Sequence, residues 1–340
     1  MGRDDVRILV IRLSSMGDII LTLPALKALK ARFPQARVDI LVKARFGGLL
    51  HGHPHMDDLL VLKEGEGILS LAGRLRRRSY DIVVDLHANL RSRLLCLLLS
   101  AGTTLRISKR PLKRRLMVLF HRRPRTRVHT TDLYLRTLRP LGIEAPREPP
   151  RLFLHPDEQR QAREFLDHHG LAERQPLLGL HPGARWPGKR WPAERFIETG
   201  QRLMDRGLGG ALVFGGGEEM DLAEEVARGI GSNALPVAGL SLREMMGLMA
   251  RCGLFITNDS GPMHLATALS VPVVAIFGPT HPVLGFWPLG KRDRVLTADL
   301  ECSPCSLHGS RRCPREWICL REVTVDQVVQ TAEQIMGERS

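Results

Sequence analysis

The residues Thr257-Asn258-Asp259-Ser260-Gly261-Pro262-Met263-His264-Leu265-Ala266 have the types and spacing to hold an anion. The apolar run Cys252-Gly253-Leu254-Phe255-Ile256 before them has strand length, and Leu265-Ala266-Thr267-Ala268-Leu269 after them has helical spacing. The stretch is therefore a strand-to-helix turn. Asp259 or Ser260 suits the N-cap, and Pro262 suits the first helical turn, where its missing N–H costs nothing. A helix start offers free backbone amides and the positive pole of the helix dipole, and Gly261 lets an anion approach closely. A diphosphate fits this description, and so does an ordinary capped helix of an α/β protein.

Other strand ends carry complementary chemistry. After Pro176-Leu177-Leu178-Gly179-Leu180-His181 the loop holds Gly183, Arg185, Lys189 and Arg190 among Gly and Pro, and cationic side chains so placed suit phosphate oxygens. Packing of its two tryptophans on their own domain is the competing reading of that loop. Gly210-Ala211-Leu212-Val213-Phe214 ends in Gly215-Gly216-Gly217-Glu218-Glu219, where Gly217 allows close backbone approach and Glu218 is a carboxylate for ribose hydroxyls. The spacing is not that of the dinucleotide fingerprint. Asp85-Leu86-His87-Ala88-Asn89-Leu90-Arg91 puts His87, Asn89 and Arg91 after another strand, in reach of a polar acceptor. The segment from Arg106 to Arg127 gathers Lys109, Arg110, Lys113, Arg114, Arg115, Arg122, Arg123 and Arg125 around Leu116-Met117-Val118-Leu119-Phe120. A basic segment with an apolar centre and one aromatic residue resembles a membrane-surface contact more than a base-stacking platform; a solvated basic loop competes with it.

These loops need strands to hold them. Runs at Val6-Ile11, Val38-Val42, Leu59-Leu62 and Tyr80-Leu86 alternate with helical spacing, as do a second series at Pro176-His181, Gly210-Phe214, Cys252-Ile256 and Val273-Phe277. This is the pattern of parallel α/β sheets. Helices are expected over Thr131–Leu141, Asp157–His168, Ala193–Met204 and Thr324–Met336, with a stiff linker near Pro146-Arg147-Glu148-Pro149-Pro150. At 340 residues the chain accommodates two domains. No run reaches the roughly 18 apolar residues of a membrane span, and residues 1–5 lead straight into a strand rather than a leader, so a cytoplasmic protein is expected. The net charge of +14 implies an anionic partner, while the 5% aromatic content and the lack of a recognition motif count against nucleic acid.

Three groups of segments together resemble glycosyltransferase family 9, the family of the ADP-heptose:lipopolysaccharide heptosyltransferases. They are Met16-Gly17-Asp18 with Leu23-Pro24-Ala25-Leu26; His181-Pro182-Gly183 with Lys189-Arg190-Trp191-Pro192; and Asn258-Asp259-Ser260-Gly261-Pro262-Met263-His264 with Phe277-Gly278-Pro279-Thr280. The resemblance runs nearly end to end. It implies a GT-B fold of two Rossmann-like domains with parallel sheets facing across a cleft. Residues 1–172 would bind the acceptor, 173–322 the nucleotide sugar, and the helix in 323–340 would pack back on the first domain. It further implies Asp18 as general base, Lys189 as the phosphate-binding lysine and Glu218 as the ribose contact, and Gly17 is expected among the donor-binding residues. Leu240 would flank the adenine, and Asp259, Ser260, Gly261 and His264 would form the donor sugar-diphosphate loop. Ala184 and Arg185 stand where well-known members carry hydroxyl residues, and Arg185 can substitute electrostatically.

The implied reaction is inverting transfer of a heptose or related sugar from ADP-heptose to the inner core of lipopolysaccharide. Such an enzyme would be a monomer at the cytoplasmic face of the inner membrane, with His87, Asn89, Arg91, Lys109 and Arg110 meeting the anionic lipid A/core acceptor. Cations and amides aimed at the leaving diphosphate make a catalytic metal unnecessary. No Asp-x-Asp motif stands out, and the pairs Asp57-Asp58 and Asp4-Asp5 read as loops. A nucleotide-sugar epimerase or hydrolase on the same fold is the alternative. Cys302, Cys305, Cys313 and Cys319 fall as C-x₂-C-x₇-C-x₅-C, which can bind structural zinc, although only one pair has zinc-ribbon spacing. Similar cysteine-rich tails occur in the family and read as structural.

Overall fold

The computed structural model describes residues 6–309 and 312–338; the Asp4-Asp5 pair lies outside them. In chain order the elements are β1 (Arg7–Ile11), α1 (Met16–Ile20), α2 (Leu23–Arg32), β2 (Arg37–Lys43), β3 (Asp58–Leu62), α3 (Ile68–Arg76), β4 (Ile82–Asp85), α4 (Leu90–Leu99), β5 (Thr103–Arg106), α5 (Pro111–Leu119), α6 (Thr130–Thr137) and α7 (Pro156–His168). They continue with β6 (Leu177–His181), α8 (Ala193–Asp205), β7 (Gly210–Phe214), α9 (Met220–Ile230), β8 (Ala234–Val237), α10 (Leu242–Met249), β9 (Cys252–Asn258), α11 (Gly261–Ala268), β10 (Val273–Phe277), β11 (Arg294–Thr297), α12 (Ile318–Arg321) and α13 (Val325–Gly337).

Contacts divide the chain into two compact units, Met1–Arg110 with Val128–Phe153, and Pro111–Arg127 with Leu154–Ser340. The first holds a five-stranded sheet of order β3-β2-β1-β4-β5 and the second a six-stranded sheet of order β11-β10-β9-β6-β7-β8. Every pairing is parallel. These are the two parallel-sheet α/β units of the GT-B fold. The central strands are buried on both faces, with Ile8, Leu9, Val10 and Ile11 of β1 all at 0% exposure, which is why they read as continuous apolar runs. In each sheet the chain first builds outward on one side, then returns beside its starting strand. The order therefore reverses between β1 and β4, and again between β6 and β9, and crevices form at the carboxyl ends of such strand pairs.

The domain boundaries differ from the expectation. Residues 154–172 group with the second unit, because α7 packs on α10 and Glu158 is ion-paired with Arg243. The segment 111–127 joins it too, since Arg123 Nε donates to the Ser303 carbonyl at 2.8 Å and the Arg114 guanidinium lies 4.8 Å from the centre of the Phe286 ring. The closing helix also departs from expectation. α13 packs on α8, β9, β10 and β11, and its Val328, Val329, Ala332 and Ile335 complete the core around Trp191 and Phe196 of the second unit. Its apolar stripe fits either sheet by sequence; the crevice beside α8 takes it. The edge strands β5 and β11 were not expected, because Thr-Thr-Leu-Arg and Arg-Val-Leu-Thr carry no apolar run. Asp58, expected in a loop, opens β3 and pairs with Arg78 at 2.6 Å.

Candidate active site

The crevice end of β1 in the first unit leads into α1, whose third residue is Asp18. Its Oδ2 accepts from Ser15 Oγ at 2.8 Å and from Ser15 N at 3.3 Å; its Oδ1 meets Arg12 Nη2 at 2.7 Å and accepts from Tyr134 Oη at 3.3 Å. Arg12 is buried and its Nη1 donates to the Leu86 carbonyl at 2.7 Å, tying the loop after β1 to the loop after β4. Burial is the largest influence on the Asp18 carboxyl and pushes it upward. The Arg12 charge, with the Ser15 and Arg12 hydrogen bonds, outweighs it and holds the carboxyl below its ordinary range. The side chain keeps 21% of its surface exposed. An ionised carboxylate with one open edge is the result, and Gly17, buried beside it, leaves room for the turn.

The end of β4 faces the same switch point. Asp85, fully buried, accepts from the amides of His87 and Ala88 and from Ser92 Oγ, which fixes the loop. His87 is half-buried. Burial first, then the charges of Arg12 and Lys109, push it down to about 4, so the ring is neutral at pH 7. Its Nδ1 is buried with no hydrogen-bond partner among the described residues. Asn89 caps α4 by accepting from Ser92 N at 2.8 Å, and Arg91 donates to the Glu66 carbonyl, so both already carry a structural role. Lys109 is close enough to act on His87, whereas Arg110 is an exposed residue at φ +50°.

In the second unit the loop after β6 and the turn after β9 meet. Asn258, at 0% exposure, donates to the carbonyls of Pro182 and Gly183 at 2.8 and 3.1 Å and accepts from Trp191 N at 3.0 Å. Trp191 in turn donates from Nε1 to the Val323 carbonyl at 2.9 Å. The packing reading holds for this tryptophan, and Trp186 stays partly exposed under the Arg185 guanidinium. With the loop pinned, Lys189 Nζ lies 2.6 Å from Asp259 Oδ2, which also accepts from Thr280 Oγ1 at 2.7 Å. Ser260, not Asp259, is the N-cap of α11, and its Oγ lies 3.4 Å from Thr257 Oγ1 rather than on the helix amides. Gly261 and Pro262 open the helix; His264 is buried one turn in. A lysine and the start of a helix are thus held together at one strand end.

The glycine turn after β7 differs in detail from the expectation. Glu218 is exposed, while Glu219 turns inward. Glu219 Oε2 sits 3.3 Å from both His181 Nε2 and Gly216 N, and the His181 hydrogen bond is the main reason its carboxyl lies below the ordinary range. Both acids lie in the 3-10 turn Gly217–Glu219, where successive residues point about 120° apart, so only one of the pair can face His181. Gly217 is exposed, and a Cβ on Gly183 would come within 2.3 Å of the Glu219 carboxylate. Leu240 is half-buried on the turn before α10. Arg12, Tyr134, Asn258, Thr280 and Glu219 were not singled out by sequence reading; Asn258 and Glu219 stand in strings already read as strand ends, and Thr280 in a motif quoted for the resemblance.

None of Cys302, Cys305, Cys313 and Cys319 is in a disulfide. Burial, and then the charges of Cys305, Cys313 and Cys302, push the Cys319 thiol up to about 12. Among the described residues no group of three or more His, Cys, Asp or Glu side chains has metal-holding geometry. No helix among them is long and apolar enough to cross a membrane.

The family model for glycosyltransferase family 9 (heptosyltransferase) matches residues 68–313. Lipopolysaccharide heptosyltransferase 1 of Pseudomonas aeruginosa is 29% identical over 324 residues, covering 88% of this chain and 86% of its own. The crystal structure of a family 9 glycosyltransferase from Veillonella parvula superposes with a TM-score of 0.83 at 28% identity, covering 98% of this chain and 97% of that one. The Escherichia coli ADP-heptose lps heptosyltransferase II shares the fold, with a TM-score of 0.78 at 24% identity over 98% of this chain and 100% of its own. The protein is an enzyme that belongs to glycosyltransferase family 9.

Proposed function

We propose that the enzyme transfers a heptose, or a related sugar, from ADP-heptose to the inner core of lipopolysaccharide with inversion at the anomeric carbon. The first unit takes the acceptor and the second the nucleotide sugar. Asp18 removes the proton of the attacking hydroxyl as the new glycosidic bond forms, while the bond from the anomeric carbon to the diphosphate breaks and ADP leaves. Lys189, Arg185 and the amides at the start of α11 take up the charge that grows on the diphosphate. The observation that carries this reading is Lys189 held at 2.6 Å from Asp259 over the N-terminus of α11. The diphosphate replaces Asp259 as the partner of the lysine, and Thr280 retains the released carboxylate. Glu218 or its inward neighbour Glu219 meets the ribose, and Leu240 flanks the base. His87, neutral and with an unused nitrogen, joins Asn89, Arg91, Lys109 and Arg110 on the acceptor.

These cations and amides suffice for the leaving group, so turnover is expected to persist in EDTA, and loss of turnover restored by a divalent ion would overturn that part. The basic helix α5 exposes Leu112, Leu116 and Leu119, followed by exposed Phe120, and supports peripheral binding of a monomer to the cytoplasmic face of the inner membrane. The test is a donor panel of nucleotide sugars assayed with and without truncated lipopolysaccharide cores. ADP-heptose is expected to be consumed only when a core is present, with sugar attached to it. Release of free sugar or of an isomer without acceptor would instead establish the hydrolase or epimerase alternative.

A further inference from the structure

The helix α4 is apolar on two faces. At about 100° per residue, Ser92, Leu95 and Cys96 fall on one side and are buried, Leu95 and Cys96 against Val83 and Leu75 in the core of the first unit. Leu90, Leu94 and Leu97 fall on the other, 85%, 42% and 74% exposed. A soluble helix normally turns its polar face outward, and a helix apolar all round borders a second apolar phase. Arg91 and Arg93 flank the stripe on either side, and α3, packed alongside, adds exposed Leu69 and Arg76, with exposed Arg77 capping its end. Over residues 67–100 the acids are Asp81 and Asp85. Asp85 is fully buried, and Asp81 is half-buried and accepts from Arg7 N, so every exposed charge on this stretch is positive.

We infer that the outer face of α3 and α4 is a docking surface for an anionic phospholipid bilayer, with Leu90, Leu94 and Leu97 entering the interface and the arginines meeting phosphate headgroups. Charge chooses this occupant over a second copy of the chain, because a two-fold contact would lay one all-positive face on another. The stripe begins one residue after Asn89, at the carboxyl end of β4. A bilayer on α4 therefore lies beside the loop that holds His87, where a lipid-anchored acceptor would present its sugar. That last step rests on the acceptor proposed above; the docking surface itself does not.

The test is co-sedimentation without any donor. Vesicles of phosphatidylethanolamine with phosphatidylglycerol are compared with vesicles of phosphatidylcholine, using the full chain and a Leu90→Ser/Leu94→Ser/Leu97→Ser variant with α5 intact. The wild type is expected to bind only the anionic vesicles, and the variant to lose at least about tenfold in partitioning. Its melting temperature and its turnover of a delipidated core should stay at wild-type values. An Arg77→Glu/Arg93→Glu variant should lose the same binding without touching the apolar stripe. Wild-type vesicle binding by both variants would overturn the inference, as would a concentration-dependent dimer that the leucine variant dissolves while vesicle binding persists. Vesicle binding that depends on α4 in a protein that glycosylates no core would leave this surface standing and remove only the proposed function.

Discussion

As the proposed general base, Asp18 must be ionised at neutral pH yet able to accept a proton during the reaction. Arg12 secures the first requirement: the carboxyl lies below its ordinary range, so it contributes stability that is present above about pH 4 and is lost only as the pH falls through the lower folded value. The acid limb of kcat/KM is accordingly expected below the usual carboxylate range. In an Arg12→Gln variant burial becomes the dominant influence on Asp18, and that limb should move to higher pH. A titration of kcat/KM for the two proteins checks this, and an unmoved limb would remove Arg12 from its assigned role. Asp18 was legible only through the motif resemblance, since an acid in a short loop has no signature of its own. Arg12, six residues earlier, was invisible because its partners Leu86 and Tyr134 come from distant parts of the chain. Glu219 was not told apart from Glu218 for a different reason: two adjacent acids read alike until the turn before α9 decides which one faces His181.

Elements decide how firmly the proposed donor loop is held. Gly188 sits against the segment around Gly309 and Trp317, and a Cβ on Gly309 would lie 2.6 Å from Lys189 Cγ at a backbone φ of +79°. A Gly309→Ala substitution is thus expected to cost about 1–3 kcal/mol and to weaken ADP binding by displacing Lys189, measurable by thermal melting and calorimetry together. Wild-type ADP affinity in that variant would show that the cysteine-rich segment does not brace the lysine. Chain shortening at residue 323 should be more severe. It removes Val328, Val329, Ala332 and Ile335 from the core of the second unit, a loss of roughly 5 kcal/mol or more. A shortened chain that melts like the full one would contradict that packing. The central strands were legible as continuous apolar runs because both their faces are buried. The edge strands β5 and β11, and the sheet chosen by α7 and α13, depend on long-range neighbours that local patterning does not encode.

At the scale of the whole molecule, the same topology occurs twice. Each unit reverses its strand order at the centre of its sheet, and each gathers candidate site residues at that reversal: Asp18 with His87 at β1 and β4, Lys189 with Asp259 at β6 and β9. Sequence reading placed His87, Lys189 and Asp259 in strand-end loops from the glycine, proline and charge that follow their apolar runs, and reached Asp18 through the motif resemblance. It did not find which positions pair, since that follows from the sheet order. The two sites divide the proposed reaction, with proton removal in one unit and leaving-group stabilisation in the other. The most direct measurement is a comparison of Asp18→Asn and Lys189→Ala in ADP-heptose affinity by calorimetry and in transfer rate to a truncated core. Asp18→Asn is expected to bind the donor within about twofold of wild type and to lose about 10²- to 10⁴-fold in rate, while Lys189→Ala loses donor affinity as well. An Asp18→Asn enzyme that turns over at the wild-type rate would contradict the account.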